Sequence, residues 1–115
     1  ALNSSGNYVE AAQRYLEAKE RFPVGSEYWA TATAHAFDML SVQECAEVAK
    51  PEWWNDEELK AMSARVVRAA PDAVANEMRA VVLSGLVSDS WEVGPRSAAE
   101  LMEAATHFDR SAALN

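Results

Sequence analysis

The chain has little cysteine, glycine or proline, and it has no long hydrophobic run. Of its 115 residues, one is cysteine, four are glycine and four are proline. The single thiol, Cys45, excludes an internal disulfide and a zinc site built from several cysteines, and it is compatible with the cytoplasm or another reducing compartment. No apolar stretch approaches the roughly 20 residues that a membrane-spanning helix requires. The sequence therefore predicts neither a disulfide scaffold nor a membrane protein.

Positive charge is also scarce. Lys and Arg number 10 against 18 Asp and Glu, which gives a formal net charge of −8 at pH 7. The cations, from Arg14 to Arg110, are dispersed along the chain among acidic residues. A chain of this charge repels phosphate backbones and anionic lipid surfaces. We therefore expect neither nucleic acid nor a membrane as the partner, and a basic or apolar peptide or protein surface fits better.

Catalytic signatures are missing as well. The sequence contains no phosphate-binding loop, nucleophile elbow, paired-histidine zinc motif or dinucleotide fingerprint. His35 and His107 are isolated and lack the neighbouring residues of a metal motif. We therefore predict a protein that is not an enzyme and that has no metal or cofactor. A small helical-bundle enzyme or ligand carrier is the third hypothesis, because carboxylates from different helices could still surround a pocket.

The residues that are abundant favour helix. Apolar residues make up 50% of the chain and charged residues 24%, a balance that supports a folded core. Ala, Leu, Glu, Met and Arg dominate the segments between the glycines and prolines, and residues 79–83 lack the alternation of a strand. We predict one all-α domain over residues 1–115 with about five helices. Because the chain starts at Ala1 without a methionine or a leader, we expect a fragment of a longer protein.

Turn and capping residues divide the chain into these helices. The first is predicted over 7–22, with its first residue as the cap, and it ends before Pro23. The second begins after Ser26, a favourable N-cap, and runs to Leu40, with a continuation to Ala49 as an alternative. Because the connection between these two helices is short, we expect them to be antiparallel neighbours.

Three further helices are predicted to begin after Asn55, Asp72 and Ser97. Glu58 and Glu100 follow the first and last of these caps at the spacing of a capping box. The apolar residues that we expect to face the core are Val74, Met78, Val81, Val82 and Leu86 in the fourth helix, and Leu101, Ala104, Ala105 and Phe108 in the fifth.

A set of small and aromatic residues near the amino end has a distinctive spacing. Its members are Gly6, Tyr8, Ala11, Tyr15, Ala18 and Pro23, followed by Trp29. This spacing resembles the tetratricopeptide repeat from residue 6 to about residue 37, with a weaker echo over 98–115. The resemblance implies antiparallel helix pairs stacked as a right-handed superhelix. In that arrangement the small residues let two helices approach closely, an aromatic ring fills the gap between them, and the proline forms the turn.

The same resemblance implies a groove that binds a peptide or protein, and the second helix would line it. The groove residues would be Glu27, Ala30, Thr31, Ala34, Phe37 and Asp38. The subgroup of this family that clamps carboxylates has Lys, Asn and Arg where this chain has Ala30, Thr31 and Ala34, so we do not expect a carboxylate clamp in the groove. Acidic residues there would favour a cationic or apolar ligand. The predicted function is a non-catalytic scaffold or adaptor module.

The tryptophans in the connecting segments have two interpretations each. Trp53 and Trp54 could anchor a partner, but Trp54 is also placed to pack on Leu59 across the start of a helix. Trp91 lies in a polar segment and is a candidate recognition residue. Self-assembly through the terminal helices is the alternative function, since the resemblance would leave these helices unpaired.

Overall fold

Helix caps set most of the element boundaries. A computed structural model describes residues 5–85 and 90–115, and all of the regular structure in these ranges is helical. The α-helices are α1 (Ser5–Glu20), α2 (Glu27–Leu40), α3 (Asp56–Ala69), α4 (Ala73–Ser84) and α5 (Ala98–Leu114), and a short 3₁₀ helix (Gln43–Cys45) follows α2. The predicted all-α class is confirmed for this part of the chain.

Four predicted N-caps are confirmed. Ser26, Asn55, Asp72 and Ser97 have extended backbones, and the side chain of each accepts a hydrogen bond from a backbone N–H in the first turn of its helix. At Ser97 the capping box is complete, because Glu100 Oε1 accepts from the backbone N–H of Ser97 at 2.9 Å. The N–H donors to the four caps belong to Trp29, Glu58, Ala75 and Glu100.

Two boundaries differ from the prediction. Helix α1 begins before Asn7, which lies inside the helix, and it ends at Glu20. The alternative continuation of α2 to Ala49 is wrong, because α2 ends at Leu40. Beyond it, the hydroxyl of Ser41 donates to the Phe37 carbonyl at 2.7 Å, and Val42 has an extended backbone with ψ of 153°. The Ser41 hydroxyl bond and the extended backbone at Val42 take the place of the next helical turn. At the far end of α4, Gly85 adopts a left-handed backbone with φ of 69°, a favoured way to end a helix.

The core lies among α2, α3 and α4. Helix α1 packs on α2, and α5 packs on α4. The bulkiest fully buried side chains are Trp29, Leu40, Leu59, Met78, Leu83, Val66 and Val82. Phe37, Trp54 and Trp91 meet in the same core with ring centroids 5.1–6.0 Å apart. Aromatic groups from one helix and from two connecting segments therefore close the core. Trp54 and Leu59 are both buried in it, as predicted, while Leu86 lies outside the described residues.

The contact between α1 and α2 uses some of the predicted small and aromatic residues. The ring of Tyr15 stacks on His35 with centroids 5.0 Å apart, so it fills the space between the two helices. The alanine that is fully buried in α1 is Ala12, whereas Ala11 and Ala18 are only half-buried. The fully buried alanine of α1 therefore lies one position along from the predicted Ala11.

The buried side of α5 also differs from the prediction. Leu101 and Ala105 are exposed, and the buried residues are Ala104, His107 and Ser111. His107 Nδ1 lies 2.8 Å from Asn76 Oδ1, and Ser111 donates its hydroxyl to the Ala73 carbonyl at 2.9 Å. Part of the predicted face is therefore wrong. The hydrogen bonds to α4 turn the polar residues His107 and Ser111 of α5 toward the interior.

Candidate binding crevice between helices α2 and α4

A crevice of about 220 Å³ lies between α2 and α4. Its apolar wall includes Phe37 from α2 and Met78 and Val81 from α4. Asp38 and Glu77 contribute the two carboxylates that line it, one from each helix. The crevice thus combines an aromatic and aliphatic surface with two acids.

Both carboxylates lie in surroundings that disfavour their charge. Burial raises the pKa of Asp38, and the nearby imidazole of His35 partly opposes this effect. Burial also raises the pKa of Glu77, and the negative charge of Asp38 raises it further. Within residues 5–85 and 90–115, neither carboxylate has a hydrogen bond or an ion pair. Asp38 is half-buried and Glu77 is exposed, and the two like charges repel each other at one crevice.

This arrangement suits a cation. An ammonium or guanidinium group between the two carboxylates would remove their repulsion and favour the charged form of each. The methylene stem of a lysine or arginine could lie against Phe37 and Val81, since long basic side chains bury their stems along apolar surfaces. The chemistry of the crevice is therefore recognition of a basic side chain.

The predicted groove residues divide into three groups in the structure: those that line the crevice, including Ala34; those outside its lining; and Ala30, which is fully buried in the core. Phe37 and Asp38 line the crevice, and Phe37 is also part of the core with 3% of its surface exposed. Glu27, at the start of α2, is exposed and Thr31 is half-buried, and neither belongs to the crevice lining. A binding role for these two residues stays a prediction.

Trp91 lies in the core rather than on an exposed face. It is 7% exposed, and its indole Nε1 donates to Asp56 Oδ1 at 2.9 Å. The indole of Trp54 likewise donates to the Ser90 carbonyl at 2.9 Å. Because both indoles find acceptors inside the protein, the polar sequence around Trp91 does not expose it. Trp91 is therefore a core residue, and a recognition role for it stays a prediction.

Glu77 carries no signal in the sequence that marks it as a site residue. It lies 39 residues beyond Asp38 along the chain, and on α4 it has the appearance of an ordinary solvated helix residue. No spacing rule joins residues of α2 and α4, because their proximity depends on how the two helices pack. The excess of acidic over basic residues predicted a cationic partner, but it did not indicate where on the protein that partner would bind.

No group of three or more His, Cys, Asp or Glu residues that could hold a metal ion occurs among the described residues. In the same part of the chain, every helix is too short or too polar to cross a membrane.

Comparisons with protein families, with curated proteins and with solved structures give no match for this chain.

Proposed function

We propose that the protein is a non-catalytic interaction module that binds a basic segment of a peptide or protein in the crevice between α2 and α4. The observation that carries this proposal is the pair Asp38 and Glu77, two carboxylates that line one crevice and have no ion pair with a Lys or Arg among the described residues. The net charge of −8 supports it, because a negative field attracts cationic partners and speeds their association.

The mechanism is insertion of one basic side chain. Its charged end pairs with both carboxylates, and its stem displaces water from Phe37, Met78 and Val81. A charge pair in a partly desolvated crevice is stronger than one on an open surface, because the effective dielectric constant is lower. Residues flanking the basic side chain would run along α2 toward Thr31 and Glu27, in keeping with the predicted groove.

A tetratricopeptide-like arrangement is part of the same proposal. The pairing of α1 with α2 through Tyr15 and His35 supports it, as does the packing of α5 on α4. In a right-handed stack of antiparallel pairs, α2 would contribute to a concave binding surface.

The test is an NMR titration with two blocked tripeptides, acetyl-Leu-Lys-Leu-amide and the same peptide with acetyl-lysine. The first should shift backbone signals around Asp38 and Glu77 in a saturable way, and the neutral peptide should not. Asp38→Asn and Glu77→Gln should each weaken binding about tenfold, the loss expected for one charge-assisted contact. Glu17→Gln removes the same charge from the exposed face of α1 and should leave affinity unchanged. Equal binding of the two peptides, or full affinity in Asp38→Asn, would contradict the proposal.

A second candidate function is self-assembly through α5. Leu101, Met102 and Leu114 are 48%, 72% and 55% exposed, so α5 presents apolar side chains to solvent at separate positions around its axis. Packing α5 against α5 of a second copy, centred on Met102, would bury part of this surface. Sedimentation over a range of concentrations should then show a rising mass, and Met102→Glu should abolish the rise. A constant monomer mass would exclude this candidate.

A further inference from the structure

A second cavity of about 280 Å³ lies where α1, α2 and α3 meet. Lys19 of α1, Trp29 of α2, and Met62 and Arg65 of α3 line it, and Val24 closes it from the turn between α1 and α2. The volume is at the lower end of the range found for small-molecule sites in proteins. None of the residues in this cavity lines the crevice of Asp38 and Glu77.

Lys19 is an unusual residue in this cavity. It is only 9% exposed, and its ammonium lies 6.0 Å from the ring centroid of Trp29 and 5.5 Å from that of Trp53. In the described ranges, it has no hydrogen bond and no carboxylate within ion-pairing distance. A nearly buried cation held only by two aromatic faces retains a strong preference for an anion.

The indole of Trp29 adds an unused donor. Trp29 is 2% exposed, and its buried Nε1 has no acceptor among the residues that the structure describes. The indoles of Trp54 and Trp91 both donate to protein oxygens. A buried N–H group without an acceptor is rare in proteins, since it loses its hydrogen bond to water without a replacement. Because Trp29 also lines the cavity, its indole N–H signal can report on what binds there.

Arginines extend this cationic character to the surface. Arg65 also lines an adjoining hollow together with Arg68, Val24 and Gly25. In the described part of the chain neither arginine has an ion pair or a hydrogen bond. The fold therefore brings Lys19 of α1 to the same region as two arginines of α3, on a protein whose overall charge is negative. Glu58 is the one acidic residue in the cavity lining.

We propose that this cavity binds a small organic carboxylate. The carboxylate pairs with Lys19 and Arg65, and the apolar body of the ligand packs on Met62, Val24 and the ring of Trp29. The ligand is either a free acid or the acidic side chain of a peptide, since both carry the same group. A site of this kind is separate from the proposed basic-peptide crevice and does not depend on it.

The first test follows the indole N–H signals by two-dimensional ¹H–¹⁵N NMR at constant ionic strength. Sodium benzoate should shift the Trp29 indole signal in a saturable way, whereas benzamide, its neutral counterpart of the same shape, should not. The Trp29 signal is assigned from its loss in Trp29→Phe. To separate the two sources, a blocked Leu-Glu-Leu peptide and its Gln counterpart are titrated in parallel. Tighter binding of benzoate favours a free acid, and tighter binding of the Glu peptide favours a peptide side chain.

The second test uses charge variants. Lys19→Met keeps the aliphatic stem against the tryptophans, and Arg65→Gln changes an exposed side chain. Each should weaken binding of the preferred carboxylate about tenfold. Glu58→Gln should strengthen it severalfold, because a like charge is removed. Arg14→Gln removes one positive charge from the exposed side of α1 and is the matched control, which should bind as the unchanged protein does.

Three results would overturn the proposal. They are the absence of a saturable shift with either carboxylate, equal shifts with benzoate and benzamide, and undiminished affinity in both Lys19→Met and Arg65→Gln. If Lys19→Met does not fold, as judged by its circular dichroism and melting curve, the decision falls to Arg65→Gln and Glu58→Gln. These two must shift affinity in opposite directions, and any other result counts against the carboxylate site.

Discussion

The guanidinium of Arg96 forms a bidentate ion pair with the carboxylate of Asp56, with Nη2 2.6 Å from Oδ1 and Nη1 2.9 Å from Oδ2. Asp56 is the first residue of α3, where the helix dipole favours a negative charge. Arg96 also donates to the carbonyls of Val82 and Leu83 in the last turn of α4. One ion pair therefore joins the start of α3, the end of α4 and the segment that leads into α5.

Removing the charge of Asp56 should destabilise the fold strongly. Arg96 is only 6% exposed, so Asp56→Asn would leave a buried guanidinium without its counter-ion. We expect a loss of about 3 kcal/mol in the free energy of unfolding, measured by urea denaturation. Glu10→Gln is the control, because the pair of Glu10 with Arg14 is exposed and should contribute less than about 1 kcal/mol. A loss in Asp56→Asn no larger than in this control would show that the two-point pair does not hold the helices together.

Acid should weaken the fold through the same residue. The hydrogen bond from Arg96, aided by those from Trp91 and the Gly94 N–H, holds the pKa of Asp56 well below its usual range. Lys60 and the Ser97 N–H likewise lower the pKa of Glu100 to about 2. Because both pKa values are lower in the folded state, their stabilisation is complete above the unfolded pKa, near 4, and is lost as the pH falls toward the folded values. Unfolding free energies measured from pH 5 to pH 2 should fall steadily, and less steeply in Asp56→Asn. Parallel curves for the two proteins would contradict this account.

His107 should make the free energy of unfolding depend on pH in a milder range as well. Burial lowers the pKa of its imidazole, although the carboxylate of Glu103 opposes the effect. Asn76 donates its amide N–H to the Asp72 carbonyl and so offers Oδ1 to His107, which places the ring proton of the neutral imidazole on Nδ1. Because the folded pKa is lowered, stability is complete above the unfolded pKa of about 6.5 and declines as the pH falls through the folded value. NMR titration should give a pKa for His107 below 6.5, and His107→Gln should flatten the stability profile between pH 7 and pH 5. A measured pKa above 6.5 would show that Glu103 prevails over burial.

The contact between α1 and α2 can be tested at Ala12. It is 1% exposed, and a larger side chain there would push the two helices apart. Ala12→Leu should destabilise by about 1–3 kcal/mol, whereas Gln13→Leu, at the exposed neighbouring position, should change stability by less than about 0.5 kcal/mol. Thermal melting of the two variants provides the comparison. Similar melting temperatures would mean that Ala12 does not mark the closest approach of the helices.

Local chemistry accounts for the part of the fold that the sequence predicted. The caps at Ser26, Asn55, Asp72 and Ser97 depend on residues within one turn, so their signals are complete in a short window of sequence. The alternative prediction that α2 continues to Ala49 is wrong for a local reason too. The Ser41 hydroxyl bond and the extended backbone of Val42 are not apparent from apolar spacing.

Long-range packing accounts for what was missed. The burial of Trp91 depends on an acceptor at Asp56, 35 positions earlier in the chain. The approach of Glu77 to Asp38, and of Arg65 to Lys19, follows from the packing of separate helices. Periodicity within one helix carries no information about such pairs. It also misplaced the buried side of α5, because polar residues there found partners on α4 that no single helix could reveal.

The polar contact of α5 with α4 has a consequence for how this end of the molecule behaves. Hydrogen bonds such as Ser111 to Ala73 and His107 to Asn76 require one alignment, and sliding the helix by a turn would break all of them together. An apolar contact between two helices tolerates many alignments, but the polar contact between α5 and α4 accepts only one. These bonds therefore fix the register of α5 along α4 as well as its contact with it.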